Sequence, residues 1–581
     1  MQKRSEKILN KGFVLCAADY VRRMWHVTGS DMVQFSTLVI VSLLVAFYGG
    51  TFLISLRIGK KQENADGFMT AGNKLGFGVS AASMTATWIW ASSMYASATS
   101  GYTYGISGPI HYGLWGALMI LFIYPFGQRI RKVAPKAHTL AEVMYARHGR
   151  SSQLMLAGSN IVGSLISLMS NFLAGGLLIA LLSPFNFIQG VFIVALGVLL
   201  YTLWSGFRAS VLTDFVQLIG MLGAVAVLVP FIFFAAGFPA AFESGAGNLT
   251  AEQGNFFSSV AFFEQGAPYI AAVLAYAIGN QTIAQRLFAV REDLIKPTFI
   301  TATVGYGATV IGVGMLGVLA LYLGIEPMDG DVNNLIPQMA ASYLPGILLA
   351  VFFVMIIGAL SSTADSDLAA LSSIVMTDVY GQAVAGKANA NPRRMLLIGR
   401  VTMIVATAAA ISLASLQLSI LDLLVFVGAL WGALVFPVIA SFYWGKVTNK
   451  AFTVSVLVAL AAFLPVRFSW VPMDGMFGIF SDIVAVVGIG VVLGLMTFGF
   501  FGLKVAQIVG GLAIVLSAPF AIGFLHDYPT LSGSLVAYAV STVGCFAMSV
   551  NQRETFDFEL IKQRTGDFDE EEFPAVGASG K

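Results

Sequence analysis

Between positions 358 and 368 the chain sets hydroxyls at Ser361, Ser362, Thr363 and Ser366 and carboxylates at Asp365 and Asp367, directly after an apolar run over 347–357. In hydrocarbon each unpartnered polar group costs several kcal/mol, so such a cluster marks an ion or substrate path or serves to join helices. Helix joining accounts for the hydroxyls but not for the carboxylates. At helical spacing Ser362, Asp365 and Ser366 are i, i+3 and i+4 neighbours on one face, while Asp367 points elsewhere. Hydroxyl and carbonyl oxygens are the ligands a hard monovalent cation takes, and they release it again because they add little charge.

Two further segments carry polar groups at membrane depth. In 201–217, Asp214 stands at the start of an apolar run with Thr213 beside it and Gln217 one turn on. Its carboxylate serves either a cation or an ion pair with Arg208 at the interface. In 77–94 the chain is crowded with Gly, Ala, Ser and Thr ahead of Trp88 and Trp90. Small residues allow close helix packing, and a helix this short of large aliphatics also unwinds readily and exposes carbonyls, as transporters do where they bind.

The elements that must position these groups are membrane spans. Of 581 residues, 57% are hydrophobic and 11% charged, where a soluble domain carries about 25% charged, and the mean hydropathy is +0.81. Apolar runs predict an all-α membrane protein of about fifteen transmembrane helices, because only helices or closed barrels satisfy the backbone in lipid and the runs are too long for barrel strands. The connection 128–150 carries Arg129, Arg131, Lys132, Lys136, Arg147 and Arg150, whereas 238–264 and 325–342 carry no Lys or Arg. The first is therefore read as cytoplasmic and the others as external, with the N-terminus outside and the C-terminus inside. The basic tail 1–34 conflicts with that rule and reads as an extracytoplasmic, interfacial amphipathic segment; 551–581 reads as a solvated, partly disordered cytoplasmic tail. A net charge of +2 gives no footprint for nucleic acid, and Cys16 and Cys545 form no CxxC pair.

Three ordered motifs make the chain resemble the sodium:solute symporter family over about residues 36–445. They are Ser362-Thr363 ahead of Asp378-Val379-Tyr380, the run from Ser205-Gly206 to Thr213-Asp214 and Gln217, and Asn280-Gln281 followed by Gln285-Arg286. Ser205 replaces a family glycine. Thr70, Asn73, Gly78, Trp88, Trp90, the stretch from Tyr104 to Pro109 and that from Ala134 to His138 are most similar to the urea-transporting branch. The resemblance implies a LeuT-type core of two inverted five-helix repeats, 76–237 and 265–443, each opening with a broken helix. An extra first helix spans 35–57, and accessory helices occupy 451–550. It further implies a sodium site from the carbonyls of Ala82, Thr85 and Ala359 with the hydroxyls of Ser362 and Thr363. A second cation site, present in some members, takes Asp214, Asp365 and Ser366 with Ser362. Tyr276 matches an aromatic gate of the sugar branch, but Leu424 stands where that branch places a sugar-binding Gln, which disfavours sugar.

The expected function is sodium-coupled import of a small polar solute, urea above all, across the plasma membrane by alternating access, with sodium as coupling ion and Trp88, Trp90 and Tyr276 against the substrate. The alternatives are a short carboxylate, amino acid or other small metabolite in the same family, or, outside that class, a passive channel or a transporter-like sensor. Neither a phosphate-binding lysine motif, a zinc-protease motif nor a nucleophile elbow appears, so no enzyme is expected. Oligomeric state stays open between monomer and homo-oligomer.

Overall fold

The structure, a computed structural model, describes residues 33–59, 65–71, 75–385, 390–566 and 568. The basic tail, apart from 33 and 34, and the acidic run of the C-terminal tail lie outside the described residues. The principal helices are α1 Thr37–Gly59, α2 Phe77–Trp88, α3 Ala91–Tyr104, α4 Ser107–Val133, α5 Leu140–His148, α6 Arg150–Leu182, α7 Phe187–Trp204 and α8 Gly206–Ala235. There follow α9 Ala267–Gly279, α10 Gln281–Ala289, α11 Ile295–Tyr322, α12 Leu335–Tyr343, α13 Gly346–Ile374, α14 Pro392–Ala414 and α15 Ile420–Tyr443. The last four are α16 Asn449–Arg467, α17 Met476–Ala521, α18 Pro529–Ser549 and α19 Glu559–Arg564.

Thirteen spans meet length and hydropathy requirements among the described residues. The expected fifteen is recovered once two departures from straight helix are recognised. The run from 77 is split into α2 and α3, each too short to cross lipid alone. The second departure is α17, one helix of 46 residues that turns at Gly502, where φ is 79°. The start of each expected repeat is broken. α2 stops where Ile89 leaves helical geometry, with ψ of 79°, and Trp90 turns extended, with ψ of 142°; α9 stops at Asn280, with φ −117° and ψ 110°. The break at Asn280 is closed locally, because the Asn280 side chain accepts from the Thr282 N–H at 2.9 Å and so caps α10. Later helices correspond in order, and the short α5 and α12, nine residues each, hold the same place in the two halves. One isolated β-bridge, Leu75 to Val290, ties the start of α2 to the end of α10.

Where α3 crosses α11 the backbones are in contact. A Cβ on Gly317 would lie 1.8 Å from the Ala98 carbonyl oxygen, and one on Gly101 would lie 2.6 Å from that of Gly314. Small residues at such a crossing replace a hydrophobic drive that lipid does not supply. Gly206 is required for a different reason: its φ of 54° turns α7 into α8, and a Cβ there would meet the Phe68 ring at 2.6 Å.

At the basic end of the bundle, outside the spans, His138 is fully buried between two carboxylates. Its Nε2 is 2.8 Å from Asp66 Oδ1 and its Nδ1 is 3.2 Å from Glu142 Oε2. Burial alone would lower its pKa; the hydrogen bonds to Asp66 and Glu142 outweigh it and raise the imidazole to about 10. The adjacent Thr139 donates to Asp378 Oδ2 at 2.8 Å and Gln153 to Asp378 Oδ1 at 2.9 Å, which gives the Asp378-Val379-Tyr380 motif a structural role.

Two outcomes follow from packing and charge. Gly317→Ala should cost about 1–3 kcal/mol or more through overpacking, while Gly78→Ala, with nothing within 4 Å of the new Cβ, should leave the thermal midpoint in detergent unchanged. Equal midpoints would mean the crossing yields freely. The imidazolium's contribution is complete below the unfolded pKa, about 6.5, and is lost as pH rises through about 10. Over that window the wild-type midpoint should therefore fall more steeply than that of His138→Gln; parallel slopes would show that His138 carries no charge.

Candidate transport site

The hydroxyl and carboxylate cluster of the sequence lies in the middle of α13, and α2, α7, α8 and α10 pack polar groups against it. Asp214 on α8 is fully buried and accepts on both oxygens. Ser362 donates to Oδ1 at 2.6 Å, and Ser83 donates to Oδ2 at 2.6 Å. Its ion-pair partner is Arg286 at 3.0 Å, not Arg208. The same Arg286 Nη2 donates to Ser366 Oγ at 2.7 Å, and its Nε donates to Ser83 Oγ at 3.0 Å. The guanidinium, which also lies 5.3 Å over the Phe207 ring, thus sits within the cluster expected to hold a second cation.

Asp365 faces the same region. Its Oδ1 accepts from Ser210 at 2.6 Å, and its Oδ2 lies 2.7 Å from the Tyr201 hydroxyl. Ser366 joins the two carboxylates, 3.2 Å from Asp365 Oδ1 and in contact with Arg286. Asp367 turns the other way and accepts from Ser167 on α6. Facing on α13 is therefore as the spacing predicts.

One position along α13, Thr363 Oγ1 lies 3.2 Å from the Thr87 carbonyl and 3.3 Å from that of Ala359. Ser362 is turned to Asp214. Ala82 and Thr85 lie on the buried part of α2, where the Thr85 hydroxyl donates to Ala81 O at 2.7 Å and the Thr85 carbonyl accepts from Ile89 N–H at 3.0 Å. The α2 carbonyl hydrogen-bonded to Thr363 is thus Thr87, two residues beyond the position the resemblance implies.

Trp88, Trp90 and Tyr276 meet around one cavity, with ring centroids 5.9 to 6.5 Å apart. Ser93 from α3, Tyr112 and Gly116 from α4, Tyr269 from α9, Tyr306 from α11 and Leu424 also line it, with no charged side chain among its described lining residues. Trp88 Nε1 donates to Gly116 O at 3.1 Å, whereas the buried Trp90 Nε1 and Tyr269 Oη have no hydrogen-bond partner among the described residues. Asp214 and Asp365 do not line this cavity. Trp431 stands 5.1 Å from Tyr276 in the notch beside Gly279 and Gly163.

The motif alone assigns Arg286 no role. The structure explains the whole motif: Asn280 caps, Gln281 holds the Leu140 N–H and His138 O, Gln285 holds Met69 O and Ser373, and Arg286 reaches Asp214. Tyr201, Ser210, Tyr112 and Tyr306 were not singled out either, because nothing in local spacing distinguishes them from other span residues.

The family model for sodium:solute symporters matches residues 68–458. The chain belongs to the sodium:solute symporter family. Among relatives of this symporter, a probable urea active transporter 1 from Schizosaccharomyces pombe is 26% identical over 461 residues, covering 73% of this chain and 68% of that one. A urea-proton symporter from Oryza sativa subsp. japonica is 24% identical, covering 68% of this chain and 60% of its own length. The substrate-bound, outward-open structure of a Na+-coupled sialic acid symporter superposes with a TM-score of 0.62 at 17% identity, over 82% of this chain and 97% of that one. That likeness establishes the fold, an all-α LeuT-type bundle. The symporter is a multi-pass membrane transporter and not an enzyme.

Removing the guanidinium leaves the buried Asp214 carboxylate without its cation. Arg286→Gln should lower folded stability by about 3–5 kcal/mol, and adding Asp214→Asn should restore part of it. Thermal unfolding of the purified single and double variants measures both; additive losses would show that the pair is not coupled.

Proposed function

We propose that this symporter imports urea into the cell, driven by an inward sodium gradient. The observation that carries the substrate is the cavity: aromatic, uncharged, and holding two buried polar groups, Trp90 Nε1 and Tyr269 Oη, with no hydrogen-bond partner among the described residues. Urea's carbonyl oxygen supplies the acceptor that Trp90 lacks, its plane stacks on the indole and phenol faces, and its N–H groups reach Ser93 and the tyrosine hydroxyls. An uncharged lining gives a carboxylate substrate no counter-ion. Two relatives named for urea support the same reading.

The sodium site is assigned to Ala82, Thr85, Ala359, Ser362 and Thr363, with Thr87 O as the α2 carbonyl nearest Thr363. An oxygen set of this kind is neutral, so the ion's full charge crosses with the substrate. At about 100 mV that is worth about 2.3 kcal/mol, and a tenfold sodium gradient adds about 1.4 kcal/mol, together enough for accumulation of several hundred-fold. Sodium favours the state whose α2–α13 contact is formed, which completes the adjoining substrate cavity, and both are released after the repeats rock. The positive-inside distribution supports a cytoplasmic position for the basic end of the bundle, and import into the cell calls for the plasma membrane.

Proteoliposomes should accumulate labelled urea above equilibrium under an inward sodium gradient, which a passive channel cannot do. Thr363→Ala should raise the sodium concentration for half-maximal uptake by about tenfold, equivalent to about 1.4 kcal/mol, with little change in folded yield. Uptake unaltered when choline replaces sodium at fixed pH would remove sodium from the mechanism; an equal loss of folded protein would make Thr363 a packing residue only.

A further inference from the structure

The described part of the C-terminal tail, expected to be solvated, is docked across the basic end of the bundle. Ile561 is fully buried and Thr565 nearly so, while Glu559 and Lys562 pair with each other on the exposed side. The six-residue α19 is too short to hold itself in water, so its contacts must hold it. At the near end the Phe556 N–H donates to Gly445 O at 3.0 Å, and a Cβ on Gly445 would lie 3.1 Å from Phe556 O. The Arg147 guanidinium lies 4.2 Å from the Phe556 ring centroid, and Arg564 Nη1 donates to Ala146 O at 2.8 Å.

The far end reaches both halves of the fold. The Phe568 N–H lies 3.0 Å from each Asp66 oxygen, and the ring stands 5.4 Å from that of His138. The same ring lies beside Gly381, where a Cβ would come within 3.1 Å of it. Asp66 belongs to the short helix Ala65–Thr70 ahead of α2, and Gly381 to the π-helix Val375–Val384 that continues α13. The short helix is a closure in its own right: Phe68 and Met69 are buried, Met69 O accepts from Gln285 of α10 at 2.6 Å, and Met69 Sδ lies 3.3 Å from the Thr377 hydroxyl. Moving the two halves apart at this end would separate Ala65–Thr70 from α10 and from Val375–Val384, and Phe568 bridges the first and the last of these.

We propose that the tail segment 556–566 with Phe568 is a latch that keeps the basic end of the bundle closed, and that Phe568 leaves its seat between Asp66 and Gly381 before that end opens for solute release. The build of the segment suits release. Its anchors are Ile561 and a few partly buried rings, and its helix has little stability of its own, so it detaches by local unfolding without disturbing the spans. The latch presupposes the reading of the protein as an alternating-access importer and adds a regulatory element to it.

Access to the covered surface decides the matter without substrate. In protein carrying Cys16→Ser and Cys545→Ser, Thr377→Cys places a thiol beneath the short helix, and Ser258→Cys places one at the opposite end; both positions are buried. In nanodiscs the Thr377→Cys protein should react slowly with a membrane-impermeant maleimide. Adding Phe568→Ala should raise that rate at least about tenfold, equivalent to about 1.4 kcal/mol of lost closure, and leave the Ser258→Cys rate unchanged. A chain ending at Gly566 should behave as Phe568→Ala does, and it takes that variant's place if Phe568→Ala folds poorly. An unchanged Thr377→Cys rate overturns the latch; so does an equal rise at both thiols, which would make the tail a general prop. Faster labelling at Thr377→Cys alone, in a protein that moves no urea under a sodium gradient, leaves the latch standing and overturns the proposed function.

Discussion

The interior of this bundle is organised by the need to keep carboxylates buried without leaving their charge unbalanced. Asp214 and Asp365 are fully buried and Arg286 nearly so, in a place where each unpaired ion would cost several kcal/mol. The fold meets that demand by bringing groups from five helices to one point, which no two packed straight helices would do. α10 delivers the guanidinium only because the chain breaks at Asn280 and re-enters the bundle at a new angle. The break in turn holds because Asn280 caps α10 and Gln281 and Gln285 anchor it to the neighbouring segments. The motif from Asn280 to Arg286 is therefore one device: break, cap, anchor and deliver a charge.

What sequence made legible was whatever depends on local periodicity or on spacing within one element. The facing of Ser362, Asp365 and Ser366 against Asp367 follows from about 100° per residue, and Asp367 is indeed found against Ser167 on the opposite side. The unwinding near Trp88 was readable because a run of small residues ends in two indoles. Contacts formed between distant positions were not readable. Arg286 lies 72 positions from Asp214 and Tyr201 lies 164 from Asp365, and the more probable local partner, Arg208, sits six residues from Asp214 in sequence yet is not its ion-pair partner. The cavity was half legible for the same reason: Trp88, Trp90 and Tyr276 stood out beside the breaks, whereas Tyr112 and Tyr306 enter it from unbroken helices.

The register of the α2 contact has a physical origin too. While α2 remains helical its carbonyls are taken by the N–H groups four residues on, as Thr85 O is by Ile89. A carbonyl turns outward only where that ladder ends. Trp90 is already extended and α3 starts a new ladder at Ala91, so the Thr87 carbonyl, in the last turn before the break, is the one offered to Thr363.

Thr87 then joins the two halves of the machinery within a single residue. Its carbonyl meets Thr363, its hydroxyl lies 3.0 Å from Ser366 Oγ in the charged cluster, and the next residue, Trp88, forms a wall of the substrate cavity. On the proposed reading, a change in occupancy at Thr363 reaches the cavity through one peptide unit rather than through a chain of packed side chains. In this structure the helix end is docked on α13 and Trp88 is held by Gly116. Coupling between two ligands that bias the same docked state is reciprocal by linkage, so whatever cation tightens the α2–α13 contact must tighten the hold on the solute to the same degree. The uncharged lining fits this division of labour, since the charged groups are confined to the cluster around Asp214 and Arg286 and none lines the cavity among its described residues.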